Sequence, residues 1–171
     1  TDGNLVGFSA FNSNSLKNTV NRLIFVGVKS LDNISFLEDY KHIRELVINS
    51  CPSVKDYSIL NSMNFRKTIE VLNLGRDVDR SQVKDISFLN HYENLTELYL
   101  LGADVIDYSP LKNISKKMTS LNLNENINFN DLSIIKNYSV LEFLDISSTS
   151  VRDIYDIFDS DYIKNKNCSE S

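Results

Sequence analysis

The side chains able to do chemistry are few. His42 and His91 are the only histidines, and Cys51 and Cys168 the only cysteines. A zinc site takes such ligands in closely spaced pairs, Cys-x-x-Cys or His-x3–5-His, and neither spacing occurs. No metal site and no cofactor is therefore expected. One disulfide is arithmetically possible, but a chain of 171 residues does not need one. Asp145, Asp153, Asp156, Asp159 and Asp161 are the one group resembling the paired acids of a hydrolase. No nucleophile elbow, glycine-rich phosphate loop or metalloprotease helix motif accompanies them. Asp77-x-Asp79 is far short of a calcium loop's ligand set. The expectation is a protein that is not an enzyme, with the acidic C-terminal end as a remote catalytic alternative.

These residues must be held by something, and a repeat supplies it. A five-residue pattern begins at Asn33, Asp56, Asp85, Asp107, Asp131 and Asp153, with spacings of 23, 29, 22, 24 and 22 residues. Asp85-Ile-Ser-Phe-Leu89 and Asp107-Tyr-Ser-Pro-Leu111 are typical copies. In phase with it runs apolar-x-x-apolar-x-apolar. Its copies are Val20/Leu23/Phe25, Ile43/Leu46/Ile48, Ile69/Leu72/Leu74, Leu95/Leu98/Leu100, Met118/Leu121/Leu123 and Leu141/Leu144/Ile146. The last two apolar residues of each copy alternate with a variable one, the period of a strand with one buried face. One short strand plus one return cannot bury its apolar side alone, so the units must stack. The Asp or Asn opening each return is placed to cap a short helical turn by accepting backbone N–H bonds.

Together the two patterns resemble the leucine-rich repeat. The D-I-S-x-L return and short 22–23-residue period are similar to those of bacterial internalins and eukaryotic protein-phosphatase regulatory subunits. The resemblance runs from Val20 to Phe158. It implies an α/β solenoid, with a curved parallel sheet on the concave side and short helical or irregular turns on the convex side. The expected layout is a single domain: an N-terminal cap over 1–19, about six repeats over 20–158, a C-terminal cap over 151–163 and a tail over 164–171. Phe8, Phe11 and Leu16 are expected to cover one end, and Ile154, Ile157, Phe158 and Tyr162 the other. In such repeats an Asn usually stands three residues after the last strand apolar residue. Here that position reads Val28, Cys51, Asp77, Ala103, Asn126 and Thr149. An asparagine ladder is thus largely missing, the turns are expected to rely on packing and backbone bonds, and Cys51 reads as a small buried apolar residue. His42 and His91 fall just ahead of strands and read as solvent-edge residues. The longest return carries the charged stretch Gly75 to Gln82, an insertion on a surface that tolerates loops.

The register names the residues that point away from the core. Three columns run across the strands: Arg22, Glu45, Val71, Glu97, Ser120, Phe143; then Ile24, Val47, Asn73, Tyr99, Asn122, Asp145; then Val26, Asn49, Gly75, Leu101, Asn124, Ser147. Six strands at about 4.8 Å make a ribbon roughly 25 Å wide. Ile24, Val26, Val47, Val71, Tyr99, Leu101 and Phe143 are apolar on a face that should be wet, and such clusters mark partner surfaces. The candidate protein-binding residues are Arg22, Ile24, Val26, Glu45, Val47, Val71, Asn73, Glu97, Tyr99, Leu101, Asn122, Phe143 and Asp145, with Tyr99, Leu101, Val71 and Phe143 as anchors.

Composition bounds the partner. A net charge of -5 argues against nucleic acid, which needs a basic patch, and no apolar run is long enough to span a bilayer. The chain holds 21 Asn, 16 Ile and 12 Lys, a bias that weakens any single Asn as a site signal. Five Asn-x-Ser/Thr sequons, at Asn33, Asn94, Asn113, Asn137 and Asn167, little exceed the number such a composition produces unselected, and do not establish secretion. No signal-peptide pattern opens the chain, while the absence of an initial Met leaves a removed upstream segment open. The expected function is a non-enzymatic protein–protein interaction module presenting a rigid concave face. An intracellular scaffold, regulatory or substrate-recognition subunit is the favoured setting, and a secreted or surface-displayed internalin-like adhesin the alternative.

Overall fold

In a computed structural model of the chain, residues 8–75, 83–114 and 116–152 are described. The insertion at 76–82 and the C-terminal cap and tail from 153 onward lie outside them. The described residues hold six strands: β1 (Arg22–Val26), β2 (Glu45–Asn49), β3 (Val71–Asn73), β4 (Glu97–Tyr99), β5 (Ser120–Asn122) and β6 (Phe143–Asp145). They form one parallel sheet in sequence order. Pairing keeps a single register, Arg22–Glu45–Val71–Glu97–Ser120–Phe143 along one row and Leu23–Leu46–Leu72–Leu98–Leu121–Leu144 along the next. The stacked solenoid expected from the repeat is the fold observed.

Among the described residues, each return begins with the expected cap. The backbone N–H of the serine two residues on donates to Asn33, Asp56, Asp85, Asp107 and Asp131 at 2.7–2.9 Å. A 3-10 turn follows each time, as in Ser35–Asp39 and Ser87–His91. Its residues drop inward onto the core: Ile34 and Leu37, Ile86 and Leu89, Tyr108 and Leu111, and Leu132 and Ile135 are buried. At the N-terminal end, helix α1 (Asn14–Thr19) precedes β1. There the Phe11 ring lies 5.5 Å from Phe25 and 5.3 Å from Phe36, an aromatic cluster packed on the core.

Strand exits are equally regular. Gly27, Ser50, Gly102, Glu125 and Ser148 all take left-handed φ values of 52–67°, and each stands two residues after the last core residue of its strand. Only glycine adopts that conformation without cost, so the sharp exit is imposed by the stack on the other three.

The turn that follows corrects one expectation. Packing and backbone bonds alone do not hold it. The Asn126 amide donates to the carbonyls of Leu100 at 2.8 Å and Asn124 at 3.1 Å. In the same place the Cys51 thiol points at the carbonyls of Asn49 and Phe25 at 3.4 and 3.6 Å. The Thr149 hydroxyl donates to Ile146 O at 2.7 Å. Three different donors thus occupy the asparagine position. Burial pushes the Cys51 thiol pKa up, as expected of a buried, inert cysteine. A second tie, unseen in the sequence, uses tyrosine. Tyr40, Tyr92 and Tyr138 stand seven residues after the capping Asn or Asp and donate to Phe11, Leu60 and Leu111 carbonyls at 2.5–2.9 Å.

Candidate functional site

The outward rows of the sheet form the candidate surface. Because the register never slips, side chains from successive strands lie side by side at strand spacing. Ile24 is 53% exposed, Val26 59% and Phe143 48%, while Val47, Val71, Tyr99 and Leu101 are half-buried beside their neighbours. Over β1–β3, Ile24 pairs with Val47, while Val26 lies beside Asn49 and Val71 beside Glu45.

Two residues of the three columns belong to the interior of the face. Gly75 is buried: a Cβ there would stand 2.9 Å from Leu101 Cβ and 3.2 Å from Leu101 N. Glycine is required because Leu101 crosses over it. Ser120 is also buried, its hydroxyl 3.2 Å from the Tyr99 hydroxyl.

Polar side chains on the face are already organised. The Arg22 Nε donates to Glu45 Oε2 at 2.5 Å and its Nη2 to Oε1 at 3.2 Å, a forked pair at the exposed edge. The Tyr99 hydroxyl donates to Glu97 Oε2 at 2.8 Å, and burial raises the phenol pKa. Asn73 Oδ1 accepts the Gly75 N–H at 3.1 Å. Asp145 Oδ1 accepts from the Ser147 hydroxyl at 2.6 Å and its N–H at 2.9 Å, while Oδ2 faces the amides of Asn122 and Asn124 at 3.3 and 3.5 Å. The serine hydroxyl, then its amide, hold the Asp145 carboxyl below the usual carboxylate range. That accounts for Asp145 as a turn-forming anion facing the sheet surface; Asp153, Asp156, Asp159 and Asp161 lie outside the described residues. The structure therefore brings all thirteen candidate residues onto one face, and leaves both histidines exposed away from it, at the strand-entry edge.

Among the described residues, no group of three or more His, Cys, Asp or Glu side chains is placed to hold a metal ion. No helix among them is long and apolar enough to cross a membrane.

No protein-family profile and no curated protein matches the chain. Solved structures do. An internalin, InlF, of Listeria monocytogenes is similar at 32% identity with a TM-score of 0.64, over 81% of this chain and 38% of its own. Internalin C2 of the same organism has 17% identity and a TM-score of 0.51, over 73% of this chain and 61% of its own, a likeness of fold. The chain thus spans less than two thirds of the length of either structure.

Proposed function

From a chain that is a leucine-rich-repeat protein of the short-repeat type similar to internalins, we propose a non-enzymatic module that binds another protein on its concave sheet face. One observation carries the reading: apolar side chains stand in water on a face whose backbone is fixed by five in-register pairings. A rigid face of that kind loses little conformational freedom on association. Tyr99 and Leu101 sit centrally, flanked by Val71 and Phe143, where anchors contribute most.

The test is the double substitution Tyr99→Ala with Leu101→Ala. Binding of a purified partner recovered on the wild-type chain is expected to fall by at least tenfold, with the thermal midpoint nearly unchanged. Binding that survives, or a matching loss of folding, would mean the face is misplaced. The 32% identity to an internalin favours the surface-displayed adhesin over the intracellular scaffold. Fractionation of cells producing the full-length gene product distinguishes the two: the adhesin is expected at the cell surface or in the medium, the scaffold in the cytosol.

A further inference from the structure

Two carboxylates on the sheet face carry charge that no described cation answers. The ion pairs among the described residues are Lys17–Asp39, Arg22–Glu45 and Arg44–Glu70, and none involves Glu97 on β4 or Asp145 on β6. Their hydrogen-bond donors are all neutral: the Tyr99 hydroxyl for Glu97, and Ser147, Asn122 and Asn124 for Asp145.

Each carboxylate shares its strand face with an aromatic ring. Glu97 and Tyr99 are two residues apart on β4, and Phe143 and Asp145 are two apart on β6, so each pair projects to the same side. The order is reversed between the strands. Glu97 therefore lies across Ser120 from Phe143, and Tyr99 across Asn122 from Asp145. The two carboxylates form a diagonal of two strand spacings and two residues, about 12 Å from the usual strand dimensions. The two rings stand at the ends of the opposite diagonal.

A carboxylate beside an aromatic ring suits an ammonium or guanidinium group. The cation gains a charge-assisted hydrogen bond from one and the quadrupole of the ring from the other. A neutral partner would desolvate two charges with only neutral donors to offset them, and an acidic partner would be repelled. A second copy presenting this same face would meet its own carboxylates. We propose that the β4–β6 half of the face receives two basic side chains, arginine or lysine, of a partner protein, about 12 Å apart. Aliphatic side chains next to them cover Val71, Val47 and Ile24. This rests on the sheet face being the protein-binding surface. Two basic residues four apart in an extended segment point to one side and span about 13 Å.

The experiment uses a random dodecapeptide display library, selected on the immobilised wild-type chain, with the enriched peptides synthesised and titrated. Enriched peptides are expected to carry two Lys or Arg four residues apart beside aliphatic residues, and to bind more weakly as salt rises. Glu97→Gln and Asp145→Asn keep the hydrogen-bond acceptors but remove the charges. Each is expected to weaken binding by roughly three- to tenfold, and Phe143→Ala similarly. Peptides that require Tyr99 and Leu101 but are neutral or acidic, or that ignore both charge removals, overturn this inference while leaving the binding face standing. Peptides that ignore Tyr99→Ala with Leu101→Ala, or no enrichment at all, overturn both.

Discussion

Asn126 offers the sharpest test of how successive repeats are joined. Its side chain is fully buried and makes three hydrogen bonds. The amide donates to Leu100 O at 2.8 Å and Asn124 O at 3.1 Å, and Oδ1 accepts from the Tyr108 hydroxyl at 2.7 Å. The first reaches the preceding repeat, so the side chain ties β4's exit to β5's. At about 1 kcal/mol net per buried hydrogen bond, Asn126→Ala should cost about 3 kcal/mol. For a chain of this size that is a fall of roughly 6–12 °C in thermal midpoint. Both carbonyls keep a backbone partner, Ala103 N for Leu100 O and Gly102 N for Asn124 O, which is why the cost should not climb far higher. Asn126→Asp keeps the acceptor for Tyr108 but turns an anion towards two carbonyls, and should be the worse substitution. Tyr108→Phe alone should cost about 1 kcal/mol. In the double variant with Asn126→Ala, the phenol–amide bond is counted only once, leaving a coupling of about 1 kcal/mol. Urea unfolding followed by far-UV circular dichroism measures all four corners of the cycle. A cost for Asn126→Ala below about 1 kcal/mol, or strict additivity with Tyr108→Phe, would refute the reasoning that these bonds clamp the two repeats together.

Two further predictions concern the scaffold. The Asp56, Asp107 and Asp131 carboxyls are held below their ordinary values by hydrogen bonds from the serine two residues on, the backbone amide leading at Asp56 and Asp107 and the hydroxyl at Asp131. A depressed folded pKa stabilises fully above the unfolded value of about 3.9 and is lost as pH falls through the folded one. Unfolding free energy should therefore decline below about pH 4, and a triple Asp→Asn variant at these positions, which keeps the acceptors as Asn33 does, should flatten that decline. Gly75→Ala would push a methyl against Leu101 and should destabilise by about 1–3 kcal/mol, read by the same urea titration. A neutral result would show that β3 and β4 separate easily.

The fold was largely legible because the repeat reports itself twice, once in the strand pattern and once in the capped return. Leu46, Leu72, Leu98 and Leu121 share a row for that reason, and the outward columns follow by alternation. Two ties were not legible. Cys51 is buried in the core as its type suggests, but nothing in its type reports that its thiol stands where an asparagine amide would. The signal for Tyr40, Tyr92 and Tyr138 was a fixed offset from the cap, but the pattern skips alternate repeats, with Met63 and Ile114 in the intervening places. The face itself was legible in outline only. That Gly75 and Ser120 sink beneath Leu101 and Tyr99 depends on the sizes of neighbours in adjacent strands, which a one-dimensional pattern does not weigh.

The left-handed exit shared by five strands has a consequence for how such a chain can grow. Since Gly27, Ser50, Gly102, Glu125 and Ser148 turn the backbone at the same point of five units, those units leave their strands in the same orientation. A duplicated or deleted whole unit would lengthen or shorten the stack and leave the rows aligned. Loss of a single residue inside a strand would instead turn that strand's buried side outward. Genes encoding such chains can therefore change the area of the surface by unit steps, and its chemistry by single codons, almost independently.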